Sequence, residues 1–290
     1  MILVVGGTGL LGGEICRLLS AKGKAIRALV RSTSDQSKVA QLESLNIEAA
    51  LGDLKDRFSL EDACRGIDTL ISTASATHAR QDGDSIQTVD LEGQLNLIDA
   101  AKANRVGRFV LISFPETGNE FALQTAKRRV EEQLKVSGLN YTILQPTFFM
   151  EVWLSPALGF DAANAKAQIY GSGENKISWI SYKDVAKFAV ASLDNPEADD
   201  TVVELGGPQA LSPLEVVKIF EERQGRDFVV QRVPEQALTA QKAAAGDPLT
   251  QSFAGLMLYY AKGNVIDMRE TLRKFPVQLS SVDDYAQASL

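Results

Sequence analysis

The sequence Met1-Ile-Leu-Val-Val-Gly-Gly-Thr-Gly-Leu-Leu-Gly12 decides the fold of this chain. Its apolar run, Ile2 to Val5, is typical of a strand that is buried on both faces of a sheet. Gly6, Gly9 and Gly12 follow with the spacing G-x-x-G-x-x-G, and a helical pattern begins directly after them. A strand, a tight glycine turn and a helix N-terminus direct backbone N–H groups and the positive end of the helix dipole at an anion.

The stretch therefore predicts a cradle for the pyrophosphate of a dinucleotide. The alternative is a glycine turn that only packs the helix against the strand. The candidate cofactor contacts in this loop are Gly6, Thr8, Gly9, Leu10, Leu11 and Gly12.

The composition limits the kind of protein. The 290 residues are 45% hydrophobic and 23% charged, as in a soluble globular enzyme. The net charge is -7 and no block of Lys and Arg occurs, so nucleic acid is not an expected ligand. Cys16 and Cys64 lie in amphipathic helical patterns with a spacing that fits neither a disulfide framework nor a zinc site, and no metal site is expected.

No run of about 18 apolar residues is present, so we expect no membrane span. The chain enters its first strand without a charged leader, and this pattern predicts a cytoplasmic protein.

Strand and helix patterns alternate along the chain, which predicts an α/β fold with a doubly wound parallel sheet. We expect a dinucleotide-binding domain at 1–150, with 179–207 returning to the same sheet. Residues 151–178 and 208–290 are expected to form a smaller part that binds substrate or a partner. The predicted strands are Ile2–Val5, Ala25–Val30, Glu48–Leu51, Thr69–Thr73, Arg108–Ser113, Tyr141–Leu144 and Val202–Leu205.

Three helix starts are predicted from capping patterns, one of them at Ser212, whose capping box with Glu215 opens a helix to Gln224. Ser59 is expected to cap a helix from Leu60, and Asp184 one from Val185. A long helix is expected from Asp84 to Asn104.

The end of the second strand indicates which dinucleotide binds. An NAD site usually places an acid there to hold the ribose 2′-hydroxyl, but this chain has Arg31 and Ser32, and no carboxylate before Asp35. A guanidinium pairs well with a 2′-phosphate, so the pattern favours NADP over NAD. The alternative is a solvated arginine after an edge strand.

The ends of the third and fourth strands supply further candidates for the cofactor site. Asp53 is placed to accept a hydrogen bond from the adenine amino group, with Leu54 covering the ring; the alternative role for Asp53 is a helix or turn cap. Thr73 and Ala74 are small, as a close approach of the backbone to the cofactor requires, although small residues also suit plain packing.

Four stretches together resemble a known family: Val5-Gly-Gly-Thr-Gly-Leu-Leu-Gly12, Gly52-Asp-Leu54, Ala126-Lys-Arg-Arg-Val-Glu-Glu132 running into Leu139-Asn-Tyr-Thr-Ile-Leu-Gln-Pro146, and Ile180-Ser-Tyr-Lys-Asp-Val-Ala186. The sequence resembles the NmrA-like family, an atypical branch of the short-chain dehydrogenase/reductase superfamily that includes isoflavone-reductase-like enzymes. The resemblance implies a Rossmann-type sheet, a nicotinamide cofactor and a substrate cleft under the C-terminal part.

The chain departs from the superfamily at the catalytic pair Tyr-x-x-x-Lys. Lys127 is present, but Leu123 stands where the tyrosine acid is usual, and leucine cannot transfer a proton. The resemblance makes Lys127 the anchor of the nicotinamide ribose and a candidate catalytic residue, with a proton relay through water as a possible role. It places Ser113 where the superfamily keeps a catalytic Ser or Thr. The alternative for Lys127 is a solvated lysine on a helix surface.

In the family the loop after the sixth strand passes beside the nicotinamide, which makes Pro146, Thr147 and Phe148 candidate cofactor contacts. Apolar residues nearby are candidates for a wall against a flat acceptor; the alternative is that they form core. These candidate substrate contacts are Phe114, Phe149, Met150 and Trp153. His78, the one histidine, is expected to be either solvated or close to the nicotinamide.

These observations predict an NADP(H)-dependent reductase that passes hydride to a small planar acceptor such as a quinone or enone. A quinone accepts hydride with protons drawn from water, so the absence of the tyrosine affects this chemistry least. The rival hypothesis is a cofactor-sensing regulatory or scaffold protein with a protein partner. A sugar-nucleotide epimerase is disfavoured because such enzymes keep the tyrosine.

Overall fold

Short runs of branched and apolar residues form the strands of the central sheet. The computed structural model describes residues 1–77 and 80–289, so His78 lies outside the described residues. The strands of this sheet are β1 (Ile2–Val5), β2 (Ile26–Val30), β3 (Glu48–Leu51), β4 (Thr69–Ser72), β5 (Arg108–Ile112), β6 (Asn140–Pro146) and β9 (Thr201–Leu205).

Two further groups of elements complete the described chain. A second, smaller sheet contains β7 (Phe160–Asp161), β8 (Lys166–Tyr170) and β10 (Val229–Val233). The helices are α1 (Leu10–Ala21), α2 (Gln36–Ser44), α3 (Arg57–Ala63), α4 (Gln94–Ala103), α5 (Ala122–Lys135), α6 (Met150–Trp153), α7 (Tyr182–Ala191), α8 (Pro213–Gln224), α9 (Glu235–Ala244), α10 (Pro248–Lys262), α11 (Arg269–Lys274) and α12 (Val282–Ser289).

The central sheet has the strand order β3-β2-β1-β4-β5-β6-β9. Neighbours from β3 to β6 pair in parallel. The predicted Rossmann-type α/β sheet is therefore confirmed. The order reverses between β1 and β4, and ligands of such sheets bind at the carboxyl ends of the strands beside that point. The chain after β1 and the chain after β4 both lie there.

The chain divides into two compact units. The first contains Met1–Ser113, Thr125–Gln145 and Ala186–Val203; the second contains Phe114–Gln124, Pro146–Val185 and the chain from Glu204 onward. The roles predicted for the corresponding parts of the sequence stay predictions.

The second unit has an aromatic core. Phe148 packs edge-on against Trp153 with ring centroids 4.8 Å apart, and Trp153 stacks on Tyr260 at 5.4 Å. Trp179 and Phe220 are among its fully buried side chains. In the small sheet, β8 pairs in parallel with β10 and antiparallel with β7.

Two of the predicted helix caps are wrong because a group nearer the true helix start takes the free N–H. Helix α3 begins at Arg57, where the Asp56 carboxylate accepts from the Phe58 N–H at 3.1 Å, so Ser59 lies inside the helix. Helix α7 begins at Tyr182, after the Ser181 hydroxyl. The Asp184 carboxylate instead accepts from the Ser280 N–H at 2.7 Å.

The predicted helix from Asp84 to Asn104 has two parts. It begins at Ile86 after a reciprocal cap between Ser85 and Thr88, and Ile86–Gly93 has the wider turns of a π-helix before α4 continues. Asp84 is outside the helix, and its carboxylate binds Arg31 and Lys55, which follow β2 and β3. Such π-helical turns are rare and occur frequently at functional sites.

Candidate cofactor and active site

Two glycines of the first loop are required by packing. Gly6 has a φ of +91°, and a Cβ there would lie 2.5 Å from the Oγ1 of Thr73. A Cβ on Gly12 would lie 2.2 Å from the Gly6 carbonyl oxygen. The close approach of β1, α1 and the chain after β4 therefore excludes any side chain at these two positions.

Gly9 differs from them, because it is exposed and a Cβ there would have only one close neighbour among the described residues. A Cβ on Gly9 would meet only the Gly6 carbonyl oxygen, at 3.1 Å, within the described residues. Gly9 is also the N-cap residue of α1 and makes no side-chain cap there. Leu10 is exposed, Thr8 is half-buried and Leu11 is buried. An uncapped helix start with open space in front of it fits an anion such as a pyrophosphate.

Arg31 belongs to a group of four charged side chains, which we call the Arg31 cluster: Arg31, Asp53, Lys55 and Asp84. The Arg31 Nη1 donates to Asp84 Oδ2 at 2.6 Å, and Lys55 Nζ contacts Asp84 Oδ1. Lys55 Nζ also lies 3.3 Å from Asp53 Oδ2. The Asp84 side chain is 2% exposed, whereas the Arg31 side chain is 29% exposed.

Neighbouring charges of the Arg31 cluster shift the pKa values of Asp84 and Lys55. Burial raises the pKa of Asp84, but hydrogen bonds from Lys55, the Gln81 backbone and Arg31 outweigh it, so this pKa lies below its usual range. Burial lowers the pKa of Lys55, and the Asp84 and Asp53 carboxylates outweigh that effect and raise it overall. Both shifts favour the charged forms of Asp84 and Lys55.

The other candidates near the adenine end have local partners. Asp53 Oδ1 accepts from the Lys55 N–H at 2.9 Å, which is a turn-capping bond. Leu54 is 6% exposed and packs beside Gly93. Thr73 donates from its hydroxyl to the Val5 carbonyl at 3.1 Å. Ala74 and Thr73 are half-buried, while Ser32 is exposed.

Lys127 is not a surface lysine. Its side chain is 6% exposed, and its Nζ lies 3.5 Å from Oδ1 of Asp90, whose side chain has no exposed surface. Asp90 lies on the π-helical turns before α4, and its Oδ2 accepts from the Ala76 N–H at 3.0 Å. We call these two residues the Lys127 pair. Both members belong to the first unit.

Ser113 is part of a buried polar network. Its hydroxyl accepts from Arg128 Nη2 at 3.1 Å, and Arg128 Nη2 lies 2.7 Å from Glu131 Oε1. Gln145 Nε2 donates to both carboxylate oxygens of Glu131. Ser113 itself is 7% exposed. The hydroxyl is thus held by the network at the carboxyl end of β5.

Leu123, four positions before Lys127, is a buried side chain. It is 4% exposed, and its N–H donates to the Ser252 hydroxyl at 3.1 Å.

The candidates in the second unit differ in exposure. Met150 has no exposed surface and Phe148 is 4% exposed, both in the aromatic core, so the structure favours core for these two side chains. Pro146 and Thr147 are buried, and the Thr147 N–H donates to Leu205 O at 2.9 Å. The half-buried side chains of this set are Phe114, Phe149 and Trp153.

The sequence reasoning missed Lys55, Asp84 and Asp90 as members of the site. The signal for Asp90 was present, because a carboxylate between Val89 and Leu91 stands in an otherwise apolar helical pattern. Lys55 and Asp84 carry no such signal.

The described part of the chain gives no support for catalysis by a cysteine thiol or a metal ion. Burial raises the pKa of both Cys16 and Cys64 to about 12, which leaves these thiols protonated and unreactive. Among residues 1–77 and 80–289, no three His, Cys, Asp or Glu side chains are grouped to hold a metal ion. In the same ranges, no helix combines the length and apolarity that crossing a membrane requires.

Comparison with known proteins identifies the family. The model of the NmrA-like family matches residues 1–286. The chain belongs to the NmrA-like family.

Proteins named for different functions are similar to this chain. An NAD(P)H azoreductase from Xenophilus azovorans is 33% identical over 260 residues, which covers 89% of this NmrA-like chain and 85% of the azoreductase. A photosystem II assembly factor, Ycf39, from Cyanophora paradoxa is 32% identical over 235 residues, covering 80% and 71%.

The fold also matches a solved structure. The NADPH-dependent quinone oxidoreductase of Escherichia coli in complex with NADPH superposes with a TM-score of 0.80 at 22% identity, covering 100% of this NmrA-like chain and 99% of that one.

Proposed function

We propose that this NmrA-like protein is an NADP(H)-dependent reductase that passes hydride to a small planar acceptor, such as a quinone or enone. The observation that carries the proposal is the buried lysine: Lys127 is held in the first unit beside Asp90 rather than solvated. A buried ammonium with a spare hydrogen-bonding capacity suits the ribose hydroxyls of a nicotinamide nucleotide.

The loop after β1 fits the rest of the cofactor. Packing excludes side chains at Gly6 and Gly12, but it accounts only in part for Gly9, whose exposed Cβ position would have a single close neighbour, the Gly6 carbonyl oxygen at 3.1 Å. A pyrophosphate approaching the start of α1 supplies the missing reason.

Arg31 and Lys55 support NADP rather than NAD. Both cations face the same carboxylate, Asp84, and a 2′-phosphate offers oxygens for the same donors. The relatives named for NAD(P)H or NADPH chemistry agree with this assignment.

A nicotinamide supplies the hydride when it is bound; the chain supplies position and charge. In this proposal Lys127 donates hydrogen bonds to the ribose and presents a positive charge near the reacting ring. No residue of the chain has to act as a tyrosine acid, because a reduced quinone takes its protons from water. Phe149 and Trp153, which are half-buried, are the side chains we assign to the acceptor; Met150 and Phe148 belong to the core.

Replacement of Gly9 by alanine tests the cradle directly. The backbone of Gly9 has φ -85° and ψ 174°, which alanine adopts, and the new Cβ would require the Gly6 carbonyl oxygen, 3.1 Å away, to move by a few tenths of an ångström. We expect Gly9→Ala to weaken NADPH binding about tenfold or more, since a methyl group would displace the phosphate. Gly13→Ala is the matched control: its Cβ would lie 3.4 Å from the Gly7 carbonyl oxygen, an ordinary contact, and it should leave binding unchanged. Equal binding by all three proteins would refute the cradle.

NADPH oxidation in the presence of a panel of quinones and enones tests the reaction. We expect steady turnover on at least one acceptor and its loss in Lys127→Ala, with the folded state checked by circular dichroism. No turnover on any acceptor, together with tight NADPH binding, would reject the reductase.

A specific observation favours a second candidate, a cofactor-sensing protein without catalysis. Leu123 removes the usual proton donor, and a relative of this chain is named as a photosystem II assembly factor. This candidate predicts that the protein binds NADPH tightly but reduces no quinone or enone of the panel.

A further inference from the structure

Asp90 carries a buried charge that the proposed reaction does not itself use. Its side chain has no exposed surface, and one oxygen, Oδ2, accepts from the Ala76 N–H at 3.0 Å. The other oxygen, Oδ1, has no hydrogen-bond partner among the described residues. A carboxylate buried in this way requires a nearby cation, and Lys127 Nζ is 3.5 Å from Oδ1.

The distance between the two groups is informative. Charge-assisted hydrogen bonds between an ammonium and a carboxylate are usually about 2.7 to 2.9 Å long. At 3.5 Å, Asp90 balances the charge of Lys127 without taking up one of its N–H donors. An ammonium has three donors, so all of them stay available to a ligand.

The local backbone explains how Asp90 reaches this position. It lies within Ile86–Gly93, whose wider turns alter the direction of side chains relative to an α-helix. Ala76, its second contact, follows Thr73 and Ala74 at the carboxyl end of β4. Asp90 therefore links the lysine of α5 to the chain that leaves β4.

We propose that Asp90 is a positioning residue: it fixes the Lys127 ammonium, as a charged group with free donors, opposite the nicotinamide ribose. This inference rests on the proposed NADP(H) function, because the ribose is what Lys127 is positioned for. It assigns the pair to one half of the cofactor and leaves the adenine half to the Arg31 cluster.

The experiment compares two ligands in equilibrium binding. NADPH contains both halves of the cofactor, whereas 2′,5′-ADP contains only the adenine half and its 2′-phosphate. Asp90→Asn removes the charge but keeps an oxygen that accepts from Ala76. We expect this variant to bind NADPH about tenfold more weakly and 2′,5′-ADP with unchanged affinity.

Asp90→Glu provides the rescue, since it restores the negative charge and should recover part of the lost NADPH affinity. A role limited to packing or to the Ala76 bond predicts a different pattern: both ligands weakened alike, or no better binding by Glu than by Asn. Either pattern, or unchanged NADPH binding by Asp90→Asn, would overturn the inference.

Two further outcomes can be distinguished from a failure of the Asp90 inference. If the unaltered protein binds neither ligand, the proposed function fails, whatever Asp90 does. If Asp90→Asn does not fold, Asp90→Glu is compared with the unaltered protein instead, because its longer side chain displaces the carboxylate relative to the ammonium; a smaller but selective loss of NADPH affinity is expected, and wild-type affinity for NADPH would overturn the inference.

Discussion

The Arg31 cluster and the Lys127 pair are both balanced sets of charges in the first unit, but they differ in their contact with solvent. Arg31, Lys55 and Asp53 keep 27–32% of their side-chain surface exposed and only Asp84, at 2%, is buried, whereas both members of the Lys127 pair are buried, with 6% and 0% exposed. Exposed charges interact through a high dielectric and are screened by salt. Buried charges have lost their hydration and depend on each other. Exposure therefore decides which set exchanges partners and which stays fixed.

The difference assigns separate tasks to the two sets. A 2′-phosphate can replace Asp84 as the partner of Arg31 at small cost, because water already solvates the cation in part. No such exchange is available to Lys127, whose partner cannot leave without stranding a charge. In the proposed function, the Arg31 cluster is thus suited to selecting the ligand at its adenine end, and the Lys127 pair to holding a fixed geometry.

Replacing the buried lysine should have the largest effect on stability. Lys127→Met leaves Asp90 as an uncompensated buried charge, and we expect the free energy of unfolding to fall by about 3–5 kcal/mol. Urea denaturation measures it. Arg31→Ala, in contrast, should cost about 1 kcal/mol or less, because Asp84 keeps Lys55 and part of the cluster is hydrated.

Asp90→Asn/Lys127→Met serves as the control, since both charges are gone and most of the lost stability should return. Equal destabilisation by Lys127→Met and Arg31→Ala would show that burial does not separate the two sets.

Selection between cofactors is the next effect in size. In Arg31→Ala the 2′-phosphate loses a charge-assisted hydrogen bond, worth about 1.5–3 kcal/mol, so NADPH affinity should fall roughly 10- to 100-fold. NADH lacks that phosphate and should bind as before. Isothermal titration calorimetry measures the dissociation constants of NADPH and NADH in the wild type and in Arg31→Ala, and the ratio of the two constants checks the prediction. A parallel loss for NADH, or no loss for NADPH, would remove Arg31 from the 2′-phosphate site.

Asp84 is expected to oppose the 2′-phosphate. Asp84→Asn removes the negative charge that occupies Arg31 and Lys55 while it keeps an oxygen for the Gln81 N–H. NADPH binding should tighten by a few fold, on the order of 1 kcal/mol, and more at low salt than at high salt. NADH binding is the internal control. Weaker NADPH binding would mean that Asp84 orients the cations for the phosphate instead.

The comparison also shows which parts of the molecule the sequence predicts. The strands of the central sheet, to within one or two residues at their ends, and the glycine turn follow from local patterns, because a strand or a turn is encoded by neighbouring residues. Gly6 and Gly12 are required by contacts within one short segment. These features were predicted correctly from residues close together in the chain.

Features that depend on distant residues were missed. Asp84 meets Arg31 across 53 positions, and β10 pairs with β8 across more than 50. No pattern among neighbouring residues indicates these long-range contacts. The caps of α3 and α7 were placed wrongly for a related reason: several polar residues near each start can accept the N–H, and tertiary contacts such as Asp184 with Ser280 decide among them.

Acid titration probes the smallest effect, which belongs to Asp84. Its pKa in the folded state is lowered, since the bonds from Lys55, the Gln81 backbone and Arg31 outweigh burial, while the unfolded value is about 3.9. The carboxylate therefore contributes stability above about pH 4, and this contribution is lost as the pH falls through the folded-state pKa. Thermal unfolding is measured from pH 6 to pH 3. At pH 6 the Tm of the wild type should be higher than that of Asp84→Asn, and the difference between the two Tm values should shrink as the pH falls. A gap that stays constant would mean that the charge of Asp84 adds nothing to stability and that its polar shape alone holds the cluster.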